Sequence, residues 1–258
     1  MSDYKFLKVW EADKVAYIST NHPPLNVLDI ATMEEINAAL KDVKAREAGL
    51  KALVICAEGD KAFSAGVDVA DHTEDKVEKM IEVFHDIFRN MDKLELPIIA
   101  AAKGMTLGGG CEYVLFCDVI VAADNLKIGQ PEIKVGVFPP VAAVLLARFI
   151  SEKKALELLL TGDVIRAEEA KALGLVNHVY PIAEFDQNFA RFLKGFTSLS
   201  GSVLRQTKKA MKAASGFDFP AVLAKVEKQY LGEMMKLDDA KEGLTAFMEK
   251  RAPVWTDK

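Results

Sequence analysis

Short, dense apolar runs alternate with longer amphipathic stretches from residue 6 to about residue 182, and then the short runs stop. Dense runs bounded by turn residues read as strands, and apolar residues recurring every three or four positions read as helices. "FLKVWE" (6–11) and "KVAYIST" (14–20) are two strands around a charged turn. "NHPPLNVLD" is a loop, because its prolines cannot donate to a ladder. A helix follows, in which Thr32 and Glu35 have capping-box spacing and Met33, Ile36, Leu40 and Val43 share one apolar face. "KALVICAE" reads as a buried strand and "KAFSAGVDVADH" as a loop around Gly66. Residues 77–91 form an amphipathic helix with Val77, Met80, Ile81, Phe84, Phe88 and Met91 inward. "LPIIAAAKG" is a strand, followed by a glycine run, a third helix and the strand "VIVAAD" (119–124). Strand–helix alternation of this kind predicts an α/β fold. Beyond residue 182, "FDQNFARFLKGF", "SVLRQTKKAMKAA", "PAVLAKVEKQYLGEMMK" and "AKEGLTAFMEKR" all read as helices. The chain therefore divides into a core, 1–195, that carries the active site and a C-terminal helical region, 196–258, that packs on the core or on another subunit.

Composition excludes several classes of function. Of 258 residues, half are hydrophobic and 28% charged, as in an ordinary globular protein. A net charge of −5 argues against non-specific nucleic-acid binding. The longest apolar runs, such as "VAAVLLA" (141–147), are too short to span a bilayer, and charges break the N-terminal stretch where a signal peptide would have its apolar core. Cys56, Cys111 and Cys117 form an odd set without metal-like spacing, which suits reduced thiols in the cytoplasm. His22, His72, His85 and His178 are scattered, so no metal site is expected.

The stretch "LGGGCEYVLFCD" (107–118) sets three glycines before a lone glutamate in an otherwise apolar helix. A carboxylate there is costly unless it is paired, protonated or used in chemistry. Glycines let backbone N–H groups approach a ligand closely, and the same three residues also suit a plain tight turn from strand to helix. Glu132, in "GQPEIKVG", reads by itself as a solvated loop charge. Asp68, Asp118 and Asp124 read as turn and cap residues, and Lys250 and Arg251 as a solvated helix end or as contacts for phosphate.

Longer stretches carry a resemblance. Residues 98–139, "IIAAAKGMTLGGGCEYVLFCDVIVAADNLKIGQPEIKVGVFP", resemble the signature region of the crotonase superfamily, the enoyl-CoA hydratase/isomerases. "KAFSAGVDV" (61–69) resembles its other active-site loop, and "LLTGDVIRAEEAKALGLVNHVYP" (159–181) and "EGLTAFMEKR" (242–251) resemble later landmarks, so the likeness covers nearly the whole chain. It implies a spiral of strand–strand–helix units followed by C-terminal helices that build a homotrimer, often paired into a hexamer. It also implies acyl-CoA thioester substrates, with coenzyme A as part of the substrate and no other cofactor. By the same resemblance the N–H groups of Val67 and Gly109 form an oxyanion hole, and Glu112 and Glu132 are the acid–base pair. Leu25, Ser64, Ala65, Gly66, Val67, Gly108, Gly109, Pro140 and Val141 are expected to contact the substrate. Two filled glutamate positions favour hydration over other chemistry or over a non-catalytic acyl-CoA-binding scaffold.

The chain departs from ordinary enoyl-CoA hydratases in one stretch. Those enzymes carry a glycine-rich "PGAGGT"-like sequence where this chain has "FPPVAAV" (138–144). Pro140 has no N–H to help hold a catalytic water, although proline also suits a first helical turn. Val141, Ala142 and Ala143 stand in place of glycines and are expected to reshape the acyl pocket. "GQPEIKVGVFPPVAAVLL" and "YLGEMMKLDDAKEGLTAFMEKR" most resemble the cyclic dienoyl-CoA hydratases of anaerobic benzoyl-CoA degradation. That likeness implies 1,4-addition of water to cyclohexa-1,5-diene-1-carbonyl-CoA, giving 6-hydroxycyclohex-1-ene-1-carbonyl-CoA. A general enoyl-CoA hydratase or isomerase of fatty-acid oxidation is the alternative.

Overall fold

The computed structural model describes residues 4–256; the remaining three N-terminal and two C-terminal residues of the expected segments 1–195 and 196–258 lie outside the described residues. The chain opens with a hairpin of β1 (Leu7–Ala12) and β2 (Val15–Thr20), followed by α1 (Ile30–Arg46). Three turns of a spiral follow. The first runs β3 (Ala52–Ala57), β4 (Ala62–Ser64) and α2 (Val77–Asp92); the second runs β5 (Ile98–Ala102), β6 (Met105–Leu107) and α3 (Gly109–Leu115). The third runs β7 (Val119–Ala123), β8 (Lys127–Gly129), a 3-10 turn (Pro131–Val135) and α4 (Pro140–Phe149). Then come α5 (Glu152–Thr161), β9 (Val164–Arg166), α6 (Ala167–Leu173) and β10 (His178–Tyr180), and finally α7 (Phe185–Thr197), α8 (Gly201–Ser215), α9 (Phe219–Gly232) and α10 (Asp238–Met248).

Each turn of the spiral gives one strand to each of two sheets. The large sheet has the order β1-β2-β3-β5-β7-β10 and the small one β4-β6-β8-β9. All neighbours pair in parallel except β1 with β2 and β8 with β9. Successive strand residues point to opposite faces, so one strand feeds two cores. Leu53, Ile55, Ile98, Ala100, Ile120 and Ala122 join the main core. Their neighbours Val54, Ile99, Ala101, Val121 and Ala123 face Phe185, Phe189 and Leu193 of α7. This two-sided burial explains why these strands read as continuous apolar runs.

Two local readings need correction. The cap of α1 is Asp29, whose carboxylate accepts the N–H of Thr32 at 2.8 Å, not the Thr32–Glu35 pair. Thr32 is buried beside His22, and Glu35 instead accepts the N–H groups of Lys5 and Phe6 at 2.9 and 2.8 Å, tying the N-terminal strand to the helix. The stretch 61–72 is not all loop: it holds β4 and a 3-10 turn, Val69–Asp71, which Asp68 caps through the Ala70 N–H. Asp118 and Asp124 serve as ties between elements, accepting the N–H groups of Ile98 and Ile182 at 2.7 and 3.0 Å.

The C-terminal helices differ in how they meet the core. Phe219, Leu223 and Tyr230 of α9 and Ala240 and Leu244 of α10 belong to the main cluster. No residue of α8 is buried; it is held by polar contacts, with Lys208 on Asp118 and Lys212 on Asp92, both at 2.6 Å. No described helix is long and apolar enough to cross a membrane.

Candidate active site

The glycine run is where the turns of the spiral close on one another. A Cβ on Gly108 would lie 2.8 Å from Oε1 of Glu132, one on Gly109 would lie 2.7 Å from Cγ2 of Val67, and one on Gly110 would lie 2.6 Å from Cβ of Ser64. A side chain at Gly110 would meet Ser64 and one at Gly109 would meet Val67 and Phe84, while one at Gly108 would displace the Glu132 carboxylate. Gly108 also has φ +54°, and Gly66 across the gap has φ +104° with Leu107 O and Gly109 N close by. The loops after β4 and β6 thus press together with Val67 facing Gly109. Ser64 Oγ accepts the Gly66 N–H at 3.1 Å, and the Leu25 carbonyl accepts the Ala65 N–H at 3.0 Å, which fixes the first loop. No hydrogen bond within the described residues takes up the N–H of Val67 or Gly109.

These loops floor a cavity of about 450 Å³. Ala65, Gly66, Val67, Gly108 and Gly109 lie on one side, Pro139 and Pro140 on another, and Met80, Ile81 and Phe84 of α2 form an apolar wall. Phe138, Tyr230, Leu244 and Phe247 close the rest. Glu112 and Glu132 both face this space.

Glu112 is 2% exposed, yet it is not stranded. Helix α4 begins beside it, and the Ala142 N–H donates to its Oε1 at 2.8 Å. Pro139 and Pro140 at the start of α4 carry no N–H, so the free donors of its first turn begin after them, and the carboxylate takes one. Burial pushes the Glu112 carboxyl above its ordinary range, while the N–H groups of Ala142 and Val141 favour its charged form and limit the rise. Glu132 is pushed up well above its ordinary value by burial and then by the charge of Glu112. The Gln130 amide, with its nitrogen turned toward Glu132, lies 3.1 Å from both carboxylate oxygens. Two raised carboxyls that repel each other titrate as a pair, so the charge of one favours the protonated form of the other. Glu112 takes its hydrogen bond from the backbone at the start of α4, and Glu132 takes its own from the Gln130 amide.

Residues 11–258 match the family model for enoyl-CoA hydratase/isomerase. The chain belongs to the enoyl-CoA hydratase/isomerase family. It is 34% identical over 251 residues to a probable mitochondrial enoyl-CoA hydratase of Dictyostelium discoideum, across 95% of this chain and 88% of that one. It is also 34% identical over 260 residues to the cyclohexa-1,5-dienecarbonyl-CoA hydratase of Thauera aromatica, across 98% of this chain and 97% of the other. The crystal structure of an enoyl-CoA hydratase from Mycobacterium avium subsp. paratuberculosis K-10 superposes with a TM-score of 0.88 at 28% identity, covering 99% of this chain and all of that one. The two-sheet spiral is therefore the crotonase fold, and the chain is an enzyme of the enoyl-CoA hydratase type.

Within this crotonase-fold enzyme, the residues picked out in the sequence separate into two groups. Ala65, Gly66, Val67, Gly108, Gly109 and Pro140 line the cavity together with both glutamates. Leu25, Ser64 and Val141 do not. Leu25 and Ser64 lie behind the loop and hold its backbone, and Val141 is fully buried in the core. The "VAAV" stretch thus reshapes no wall with its own side chains: Ala142 is buried away from the cavity and Ala143 faces solvent. What it contributes at the site is backbone, the N–H groups that reach Glu112. Sequence reading missed Tyr230, Leu244 and Phe247, because each sits at helical spacing in an apolar stripe and nothing local separates a cavity wall from a core.

Proposed function

We propose that the chain hydrates conjugated enoyl-CoA thioesters and that its substrate is the cyclic one, cyclohexa-1,5-diene-1-carbonyl-CoA. The observation that carries hydration is the pair of carboxylates facing one apolar cavity, Glu112 bonded to the backbone at the start of α4 and Glu132 beside it. Glu112 takes a proton from water as the oxygen bonds to the β-carbon. The electrons of the double bond move toward the thioester oxygen, where the N–H groups of Val67 and Gly109 receive the developing charge. The proton of Glu132 then passes to carbon. In the cyclic diene the dienolate takes it at the far end, so water has added 1,4 and one double bond remains between the two positions. Proton exchange with water then moves the proton from Glu112 back to Glu132, so the cycle consists of C–O bond formation, proton transfer and charge stabilisation, and no step calls for a cofactor beyond the coenzyme A of the substrate.

The cyclic substrate is supported by the aromatic lining of the cavity, with Phe84, Phe138, Tyr230 and Phe247, and by the full-length likeness to a hydratase named for that substrate. The likeness to a relative named simply as an enoyl-CoA hydratase, at the same identity, supports a linear substrate as the second reading. The purified protein is offered the cyclic dienoyl-CoA and crotonyl-CoA side by side. A higher kcat/KM on the cyclic ester is expected; a preference for crotonyl-CoA overturns the cyclic assignment. Glu112→Gln and Glu132→Gln should each lower hydration at least about a hundredfold, with thioester binding retained. Near-normal turnover in either variant removes that residue from the mechanism. The free thiols of Cys56, Cys111 and Cys117 support a cytoplasmic enzyme.

A further inference from the structure

The cavity has five side chains with polar groups: Glu112, Glu132, His72, Lys134 and Tyr230. His72 is engaged with the backbone, its Nδ1 lying 3.0 Å from Asp68 O, and Lys134 is exposed. Tyr230 differs from both. It is 1% exposed, sits in the last turn of α9 and stands edge-on to Phe138 with ring centres 5.3 Å apart. No hydrogen bond within the described residues takes up its hydroxyl. The other fully buried tyrosine, Tyr113, has a hydroxyl sealed in the core with no partner, whereas Tyr230 borders open space shared with two carboxylates. Burial raises its phenol above the ordinary range, and the charges of Glu132 and Glu112 raise it further, so it remains a neutral donor.

Apart from the Val67 and Gly109 N–H groups, which are aimed at the thioester oxygen, and the exposed Lys134, the cavity offers few donors. The start of α4 offers two prolines without N–H, and the next free donors are directed to Glu112. Water poised for addition has two protons and two lone pairs. Its protons can face Glu112 and the unprotonated oxygen of Glu132, and one lone pair must face the β-carbon. The second lone pair needs a donor. We propose that the Tyr230 hydroxyl donates a hydrogen bond to the oxygen that is added to the substrate, holding it between the two glutamates during attack and as the hydroxyl of the product. The inference rests on the hydratase reading above, and it gives the C-terminal helical region a direct contact with the reacting atoms.

Tyr230→Phe tests it, because the ring and its packing on Phe138 are kept. On whichever CoA ester the wild type hydrates, kcat should fall about tenfold or more while KM stays within about twofold, the loss of one aligned hydrogen bond acting during attack. A second readout uses the Glu112→Gln background, where turnover is slow enough for ligand binding to be read. There Tyr230→Phe should weaken binding of the hydroxyacyl-CoA product about fivefold and leave enoyl-CoA binding unchanged. A purely structural tyrosine would weaken both ligands alike and lower the melting temperature. Equal weakening of both, or unchanged kcat and unchanged product binding, overturns the assignment of Tyr230 while the hydratase reading stands. If the wild type hydrates neither the cyclic nor the linear ester, the hydratase reading fails and this inference falls with it.

Discussion

At the scale of single residues, the carboxylate pair governs both activity and stability. The ordinary value for Glu132 is 4.5, and burial with the neighbouring Glu112 charge raises it in the folded chain. The folded state then binds more protons than the unfolded state above pH 4.5, so this residue costs stability as pH rises. Glu132→Gln removes the titration. It should stabilise the protein at pH 8, and the gain should vanish below about pH 4, near the unfolded glutamate value. Denaturant melts of both proteins at the two pH values check this; an equal difference at both would show that Glu132 is not raised by its surroundings. Activity follows from the same pair. The working form carries one proton, so kcat/KM should trace a bell whose acid limb lies above the ordinary carboxylate range. A profile already flat at pH 5 would contradict the shared proton.

At the scale of elements, the site depends on where helices begin and what anchors them. Helix α4 starts on a proline pair that gives up N–H groups, and the first donors after it fix the charge of Glu112. Helix α9 carries Tyr230 and is anchored to α2 one turn earlier, where Glu227 accepts from buried His85 at 2.7 Å and pairs with Arg89. Glu227→Ala leaves the buried imidazole without its acceptor and Arg89 with Asp86 alone, and it should cost about 1–3 kcal/mol in stability, with hydration falling in parallel as α9 loosens. A stable variant with full activity would show that apolar packing alone positions α9. Farther from the site, Asp29→Ala removes the side-chain cap of α1. It should cost about 1 kcal/mol in a urea melt and leave kcat unchanged, which separates a structural cap from residues of the cavity.

At the scale of the whole molecule, one chain leaves apolar surface uncovered. Phe149, Leu156 and Leu160 on α4 and α5 are 45%, 48% and 67% exposed, and Val203 and Met211 on α8 are 62% and 73% exposed. Helix α8 buries none of its residues although it is amphipathic. Such faces point to subunit contacts, and we propose a homotrimer or a hexamer built through the helices beyond residue 195. Light scattering should give three or six times the mass of one chain, and Val203→Glu with Met211→Glu should lower it. An active monomer would overturn the proposal.

How much of this was legible in the sequence differs by scale. The amphipathic helices and the first five strands of the large sheet stood out, because burial on both faces makes dense apolar runs and burial on one face makes a 3.6-residue stripe, whereas the three-residue β10 did not. Glu112 stood out because a charge among apolar neighbours demands an explanation. The small sheet did not: β4, β6, β8 and β9 have three residues each, too few to show a period, and they are strands only because other turns of the spiral lie beside them. The spiral repeats in space with no repeat in sequence, since each turn needs the same strand lengths and burial but not the same residues. The true cap of α1, the backbone donors on Glu112 and the place of Tyr230 in the cavity were settled by tertiary contact. Sequence alone determined which segments are apolar, where the chain can turn and that one buried carboxylate required a use. Only the folded chain decided which distant N–H, phenol or second carboxylate meets it, because those partners lie from 20 to more than 100 residues away and no local pattern records their approach.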